Sequence, residues 1–198
     1  MIIIFEKRIW KKGYGKSRMN KTEQRKKIKD LFVDFTDNGY SEIICQKAFD
    51  YLRKRNISTV MSYCPFQKEV NVSILNEMLL KNNVIFGFPV ISDKDYTMDC
   101  YYSRFYSLNQ YGIIQPEKDK FIDKSKIDAV IVPLLAFDSQ CFRLGRGKGY
   151  YDRYLSDYDG LKIALAYQMQ MINKVVVDNY DVQMDVIISE ERVYERED

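Results

Sequence analysis

The chain has 198 residues, 46% of them hydrophobic, with 16 Tyr, 11 Phe and a net charge of only +3. That is enough apolar side chain for one domain with a substantial core, and too much for a disordered chain. Histidine is absent, which excludes Ser–His and Cys–His nucleophile systems and leaves catalysis to carboxylates, Lys, Arg, Tyr, backbone amides or an oxygen-held metal.

The opening Met1–Phe5 is too short for a signal-peptide core, and charged residues follow it at once. Basic residues crowd the first thirty positions and acidic ones the last ten. The simplest reading of the basic start is a solvated amphipathic helix; the other is a surface for a polyanion. Asn20 to Glu23 has the shape of a capping box and predicts a helix to about Phe35. A second helix is expected from Ser41, its N-cap, to about Arg55, with Ile43, Ile44, Ala48, Phe49 and Leu52 at helical spacing. Ser58–Tyr63 reads as a short buried strand and Val72–Leu80 as a third helix. Asn83–Val90 reads as a second strand, halted by Pro89.

Residues 91–127 read as irregular, with Gln115-Pro116 as a stop. Asp128–Phe137 is a strongly apolar strand expected to be covered on both faces, and Lys162–Tyr167 and Asp185–Ser189 are two more. Helices alternating with apolar strands predict a single α/β domain over residues 1–198. Its central sheet should be mostly parallel, flanked by helices on both faces in three layers. The cysteines, Cys45, Cys64, Cys100 and Cys141, contain no CxxC, so free thiols in a reducing cytoplasm fit best. No apolar run approaches the ~20 residues of a membrane span. The expected location is therefore cytoplasmic, with no membrane partner.

The stretch Arg143–Arg153, RLGRGKGYYDR, lies between a predicted strand and a predicted helix from Tyr150 to about Ser156. Such loops are where open α/β sheets bind ligands. Gly145, Gly147 and Gly149 allow positive φ and close backbone approach, so that successive amides can face one anion. Arg143, Arg146 and Lys148 interleave three positive charges, and a polyphosphate is their natural partner. Asp152, in the first helical turn, can offset those charges or hold a Mg²⁺ that bridges phosphates. The order is neither that of a Walker A loop nor of a G-x-G-x-x-G fingerprint.

Val132–Leu155, containing this stretch, resembles the signature of the 5-formyltetrahydrofolate cyclo-ligase (methenyltetrahydrofolate synthetase) family. Lys7–Lys11 is similar to that family's K-x-x-L-R element, with Lys where Arg is usual. Ser62–Asn71, Gly112–Pro116, Ala164–Gln170 and Asp178–Ser189 also resemble the family, in family order.

The resemblance implies that ATP and Mg²⁺ drive conversion of 5-formyltetrahydrofolate to 5,10-methenyltetrahydrofolate, with release of ADP and phosphate. It implies that Lys7, Lys11 and the run Arg143, Leu144, Gly145, Arg146, Gly147, Lys148, Gly149, Tyr150 and Tyr151 bind ATP. Arg146 to Tyr150 would also touch the folate, together with Cys64, Glu69 and Met98, and Glu69 would take the pterin. Lys148, Arg146 and Tyr150 would be the catalytic residues, and Asp152 and Asp185 would hold Mg²⁺. The alternative is a catalytically idle relative that binds nucleic acid through its basic start, where Trp10 and Tyr14 are interleaved.

Overall fold

The computed structural model describes residues 19–92, 94–102, 106–108, 114–116 and 119–197. Helix α1, Lys21–Leu31, begins with the expected box: Asn20 Oδ1 accepts from the Glu23 amide, and the Glu23 carboxylate accepts from the Asn20 amide. Helix α2 is Tyr40–Lys54, then come strand β1, Thr59–Met61, and helix α3, Ser73–Lys81. Strands β2 (Ile85–Ser92), β3 (Thr97–Tyr102), β4 (Tyr106–Leu108), β5 (Ile114–Pro116) and β6 (Lys120–Ile122) follow. After β7, Ala129–Val132, a hairpin of β8 (Ala136–Phe137) and β9 (Arg143–Leu144) leads to helix α4, Tyr150–Leu155. Strands β10 (Leu161–Leu165), β11 (Val186–Ile188) and β12 (Val193–Glu195) close the chain.

The main sheet has the order β12-β11-β10-β7-β1-β2-β3-β6. The five strands from β11 to β2 are parallel, and β12, β3 and β6 are antiparallel additions at the edges. Alternation along the strands divides the core in two. Ala129 and Ile131 of β7 face the layer of α1, α2 and α3, with Ile28, Ile44, Leu52 and Leu75. Val130 and Val132 face the opposite layer, with Leu155 of α4, Ala164 and Ile187. All four β7 side chains are fully buried, which is why this segment reads as an unbroken apolar run.

Four local expectations need correction. Ser41 is not an N-cap: Gly39, at φ +84°, precedes the helix. The Ser41 hydroxyl is buried, paired with the Tyr167 hydroxyl at 2.9 Å and accepting from the Asn71 amide at 2.9 Å. Pro89 does not halt β2. Pairing with β1 ends at Gly87, and from there the strand pairs with β3 alone, so a residue without an N–H is tolerated. Residues 91–127 carry four short strands, which lack a long apolar run because they lie at or beyond the sheet edge. The apolar segment Asp128–Phe137 is two strands, because Pro133 breaks it and the Leu135 amide turns to the Leu144 carbonyl at 2.8 Å.

Two aspartates close the amino ends of the parallel strands. Asp128, just before β7, accepts from the Ser58 amide and hydroxyl and the Thr59 amide at 2.7–2.9 Å. Burial works against its charge, and those hydrogen bonds outweigh it, holding the carboxyl below its ordinary value. Asp185, just before β11, does the same for β10: its Oδ2 accepts from the Lys162 amide at 2.7 Å.

Candidate active site

Strand β1 leads to α3 on one face of the sheet, and β7 leads through the β8–β9 hairpin to α4 on the other. These adjacent strands therefore send their connections apart, opening a crevice at their carboxyl ends. A cavity of about 1340 Å³ lies there. Single small-molecule pockets hold about 300–1,000 Å³, so this one has room for two sizeable ligands. Every residue from 143 to 152 lines it, with Cys64, Glu69 and Met98.

One wall is the glycine loop. Gly147 takes φ +102° and Gly149 φ +69°, whereas Gly145 does not use positive φ. At Gly145 the glycine makes space instead, since a Cβ would sit 2.8 Å from the Arg143 guanidinium. Arg143 is buried and pairs with Asp152 at 2.8 Å, while its Nε has no hydrogen-bond partner among the described residues. A buried cation with an unmet donor is what a phosphate-binding loop would leave for its ligand.

Leu144 buries its side chain in the core and has only backbone to offer. Tyr150 is half-buried, its ring 6.4 Å from that of Tyr96. The Arg153 guanidinium lies 5.4 Å from the Tyr150 ring and 5.5 Å from the Tyr96 ring, and donates to Tyr96 O and Lys148 O. This ties the turn between β2 and β3 to the glycine loop. Burial drives the Tyr151 phenol well above its ordinary value, so it stays neutral.

The facing wall follows β1. Glu69, its side chain 8% exposed, accepts from the Phe66 amide at 2.9 Å and pairs across the cavity with Arg146 at 2.9 Å. Burial pushes its carboxyl above the ordinary 4.5, and Arg146 and the Phe66 amide oppose that shift. Burial also pushes the Cys64 thiol up to about 11, so it forms a neutral wall. Met98 is buried in the second core and also lines the cavity.

The two expected metal ligands are not brought together. Asp152 lines the cavity, but Asp185 lies at the amino ends of the strands. There it holds the Lys162 amide and pairs with Lys162 and Arg196 at 3.3 and 3.2 Å. Among the described residues no three His, Cys, Asp or Glu side chains cluster as a metal cage. Lys7 and Lys11 lie outside the described residues.

Three cations that sequence reasoning passed over join the site. Lys21, Arg25 and Lys29 of α1 line the cavity, four residues apart and so on one helix face. Arg25 donates from Nε to Gly145 O at 2.9 Å, and a Cβ on Gly147 would meet its guanidinium at 3.2 Å. The i, i+4, i+8 spacing was visible in the sequence. What it lacked was any sign that this face looks inward.

The chain is similar to known proteins over most of its length. The 5-formyltetrahydrofolate cyclo-ligase from Mycoplasma pneumoniae is 33% identical over 181 residues, covering 87% of this chain and all of that one. The enzyme of the same name from Haemophilus influenzae is 26% identical over 183 residues, covering 87% of this chain and 97% of its own. Among solved structures, 5,10-methenyltetrahydrofolate synthetase from Aquifex aeolicus aligns with a TM-score of 0.78 at 28% identity, over 91% of this chain and 94% of that one. The Mycoplasma pneumoniae synthetase aligns at 0.72 and 28% identity, over 87% and 99%. The sequence profile of the 5-formyltetrahydrofolate cyclo-ligase family matches residues 16–190, and the chain belongs to that family.

Proposed function

We propose that this chain uses ATP to close 5-formyltetrahydrofolate to 5,10-methenyltetrahydrofolate. The observation that carries the reading is the contact between Glu69 and Arg146 across one cavity. A buried carboxylate is a natural acceptor for the paired N–H donors of a pterin edge. The glycine loop, with Arg143, Arg146 and Lys148, is a natural cradle for phosphates. Their contact sets the anchors for the two ligands side by side, as a transfer between them requires.

In the proposed reaction the formyl oxygen attacks the γ-phosphorus and the bond to the β,γ-bridging oxygen breaks, releasing ADP. Nitrogen 10 of the folate then bonds to the former formyl carbon. The carbon–oxygen bond breaks, phosphate departs, and the proton of nitrogen 10 leaves with it. Neither step needs a histidine: positioning and charge neutralisation suffice. Lys148, exposed on the cavity wall, is assigned to the transferring phosphoryl group. Arg146 and Tyr150 complete the catalytic set at the junction of the two ligands.

The donor set fits ATP well and a bare cation poorly. Mg²⁺ bound with ATP would shield the phosphate charge, held mostly by phosphate and water oxygens, with Asp152 as the protein's contribution. The test is absorbance of the methenyl product formed from 5-formyltetrahydrofolate, with ADP counted alongside. One ADP per product, and no product without ATP and Mg²⁺, are expected. Product formed without ATP would overturn the reading.

A further inference from the structure

Arg146 belongs to the glycine loop, yet its guanidinium is committed to the opposite wall. Nε donates to Glu69 Oε1 at 2.9 Å, one terminal nitrogen to Gln67 Oε1 at 3.2 Å and the other to Phe66 O at 3.0 Å. The guanidinium carbon lies 4.8 Å over the Phe66 ring. Glu69 is nearly closed off from water while Arg146 is one-third exposed, so the arginine reaches in from the cavity side and covers the carboxylate.

A guanidinium presents parallel N–H donors to a carboxylate. The amino and ring N–H of a reduced pterin present the same pair. Arg146 gives Glu69 one of its donors, at Oε1, while Oε2 accepts from the Phe66 amide, so a pterin edge that reaches Glu69 competes with Arg146 for Oε1. Resting on the reading of Glu69 as the pterin acceptor, we infer that Arg146 is a specificity-determining competitor within the site. It holds Glu69 until a ligand with a paired-donor edge displaces it, and its charge then becomes available to phosphate on its own loop.

Two consequences follow. A ligand without the donor pair would strand a buried carboxylate if it displaced Arg146, so it is rejected. A ligand with the pair frees a cation for the nucleotide, so folate strengthens nucleotide binding, and by linkage nucleotide strengthens folate binding equally.

The test is titration calorimetry of the full chain with 5-formyltetrahydrofolate and with a non-hydrolysable ATP analogue plus Mg²⁺, each alone and with the other saturating. Repeating the titrations at several pH values separates the hydrogen-bond effect from protonation of Glu69, whose carboxyl burial raises and Arg146 holds down. Wild type should bind the nucleotide analogue about fivefold or more tightly once folate is present, within the range of ordinary coupling. Arg146→Ala should bind folate alone about tenfold more tightly than wild type, since charge-assisted hydrogen bonds no longer compete. Its nucleotide affinity should no longer respond to folate. Gln67→Met, which leaves every charge in place and removes one acceptor, should tighten folate about two- to threefold and keep the coupling. It also decides the matter if Arg146→Ala does not fold. Weaker folate binding in either variant, or coupling that survives in Arg146→Ala, overturns the inference. Wild type that binds nucleotide but not folate overturns the reading of Glu69 instead.

Discussion

The two ends of the parallel strands hold similar residues and do different work. At the amino ends, Asp128 and Asp185 each accept a backbone amide from the start of the neighbouring strand, and both are occupied by the fold. At the carboxyl ends, Glu69 and Asp152 are held by arginines that themselves belong to the cavity wall. All four also meet backbone amides or cations of the fold; what separates them is the cavity, because only Glu69 and Asp152 line it together with the arginines that hold them. Sequence position alone does not separate the two kinds, and the strand polarity does.

The largest expected effect lies at the carboxyl end. Lys148→Ala should lower kcat by ~10²–10³, the usual cost of one well-placed charge on a transferring group, with an unchanged melting temperature. A loss confined to KM would reduce Lys148 to docking the nucleotide.

Glu69→Gln comes next. An amide cannot accept both hydrogen bonds, so folate binding should weaken by ~2–4 kcal/mol with ATP affinity nearly unmoved, by calorimetry on both ligands. The pH dependence sharpens this. The proposed folate partner is the ionised carboxylate, and burial raises the pKa of Glu69 above its ordinary 4.5. Wild-type folate affinity should therefore be full above that raised value and fall as pH drops through it, at a higher pH than for an exposed carboxylate. Glu69→Gln should flatten the profile.

Two glycines at positive φ make a smaller test of the same contrast. Gly147→Ala meets a strained φ and the Arg25 guanidinium together, and should weaken nucleotide binding about tenfold, a cost of ~1–2 kcal/mol. Gly39→Ala has nothing within 4 Å of the new Cβ. It should lower stability by ~1 kcal/mol and leave nucleotide affinity alone. Equal effects on nucleotide binding would mean that the loop geometry does not matter.

The smallest catalytic effect is expected at the amino ends. Asp128→Ala strands three donors and should cost ~1–3 kcal/mol in urea unfolding, with kcat per folded molecule unchanged. A fall in kcat at constant stability would break the division between the two ends.

Much of this was legible in the sequence, for identifiable reasons. β7 announces itself because all four side chains are buried, and the glycine loop because charge alternates with a residue that permits positive φ. The capping box at Asn20 is local and survives folding unchanged. What stays hidden in the sequence is nonlocal. The Arg146–Glu69 bond spans 77 residues. Arg25 looked solvated because nothing local shows which way α1 turns its basic face. Asp185 carried a metal role by resemblance, and its place at the amino end of β11 depends on strand direction. Pro89 reads as a stop in the sequence because its tolerance depends on where β1 ends, a fact about another segment.

The contrast is tested most directly by the Mg²⁺ concentration for half-maximal activity in Asp152→Asn and Asp185→Asn, compared with wild type. The account predicts an increase of about tenfold for Asp152→Asn, the scale of losing a contact near a bound metal, and no change for Asp185→Asn. A raised Mg²⁺ requirement in Asp185→Asn with none in Asp152→Asn would contradict it.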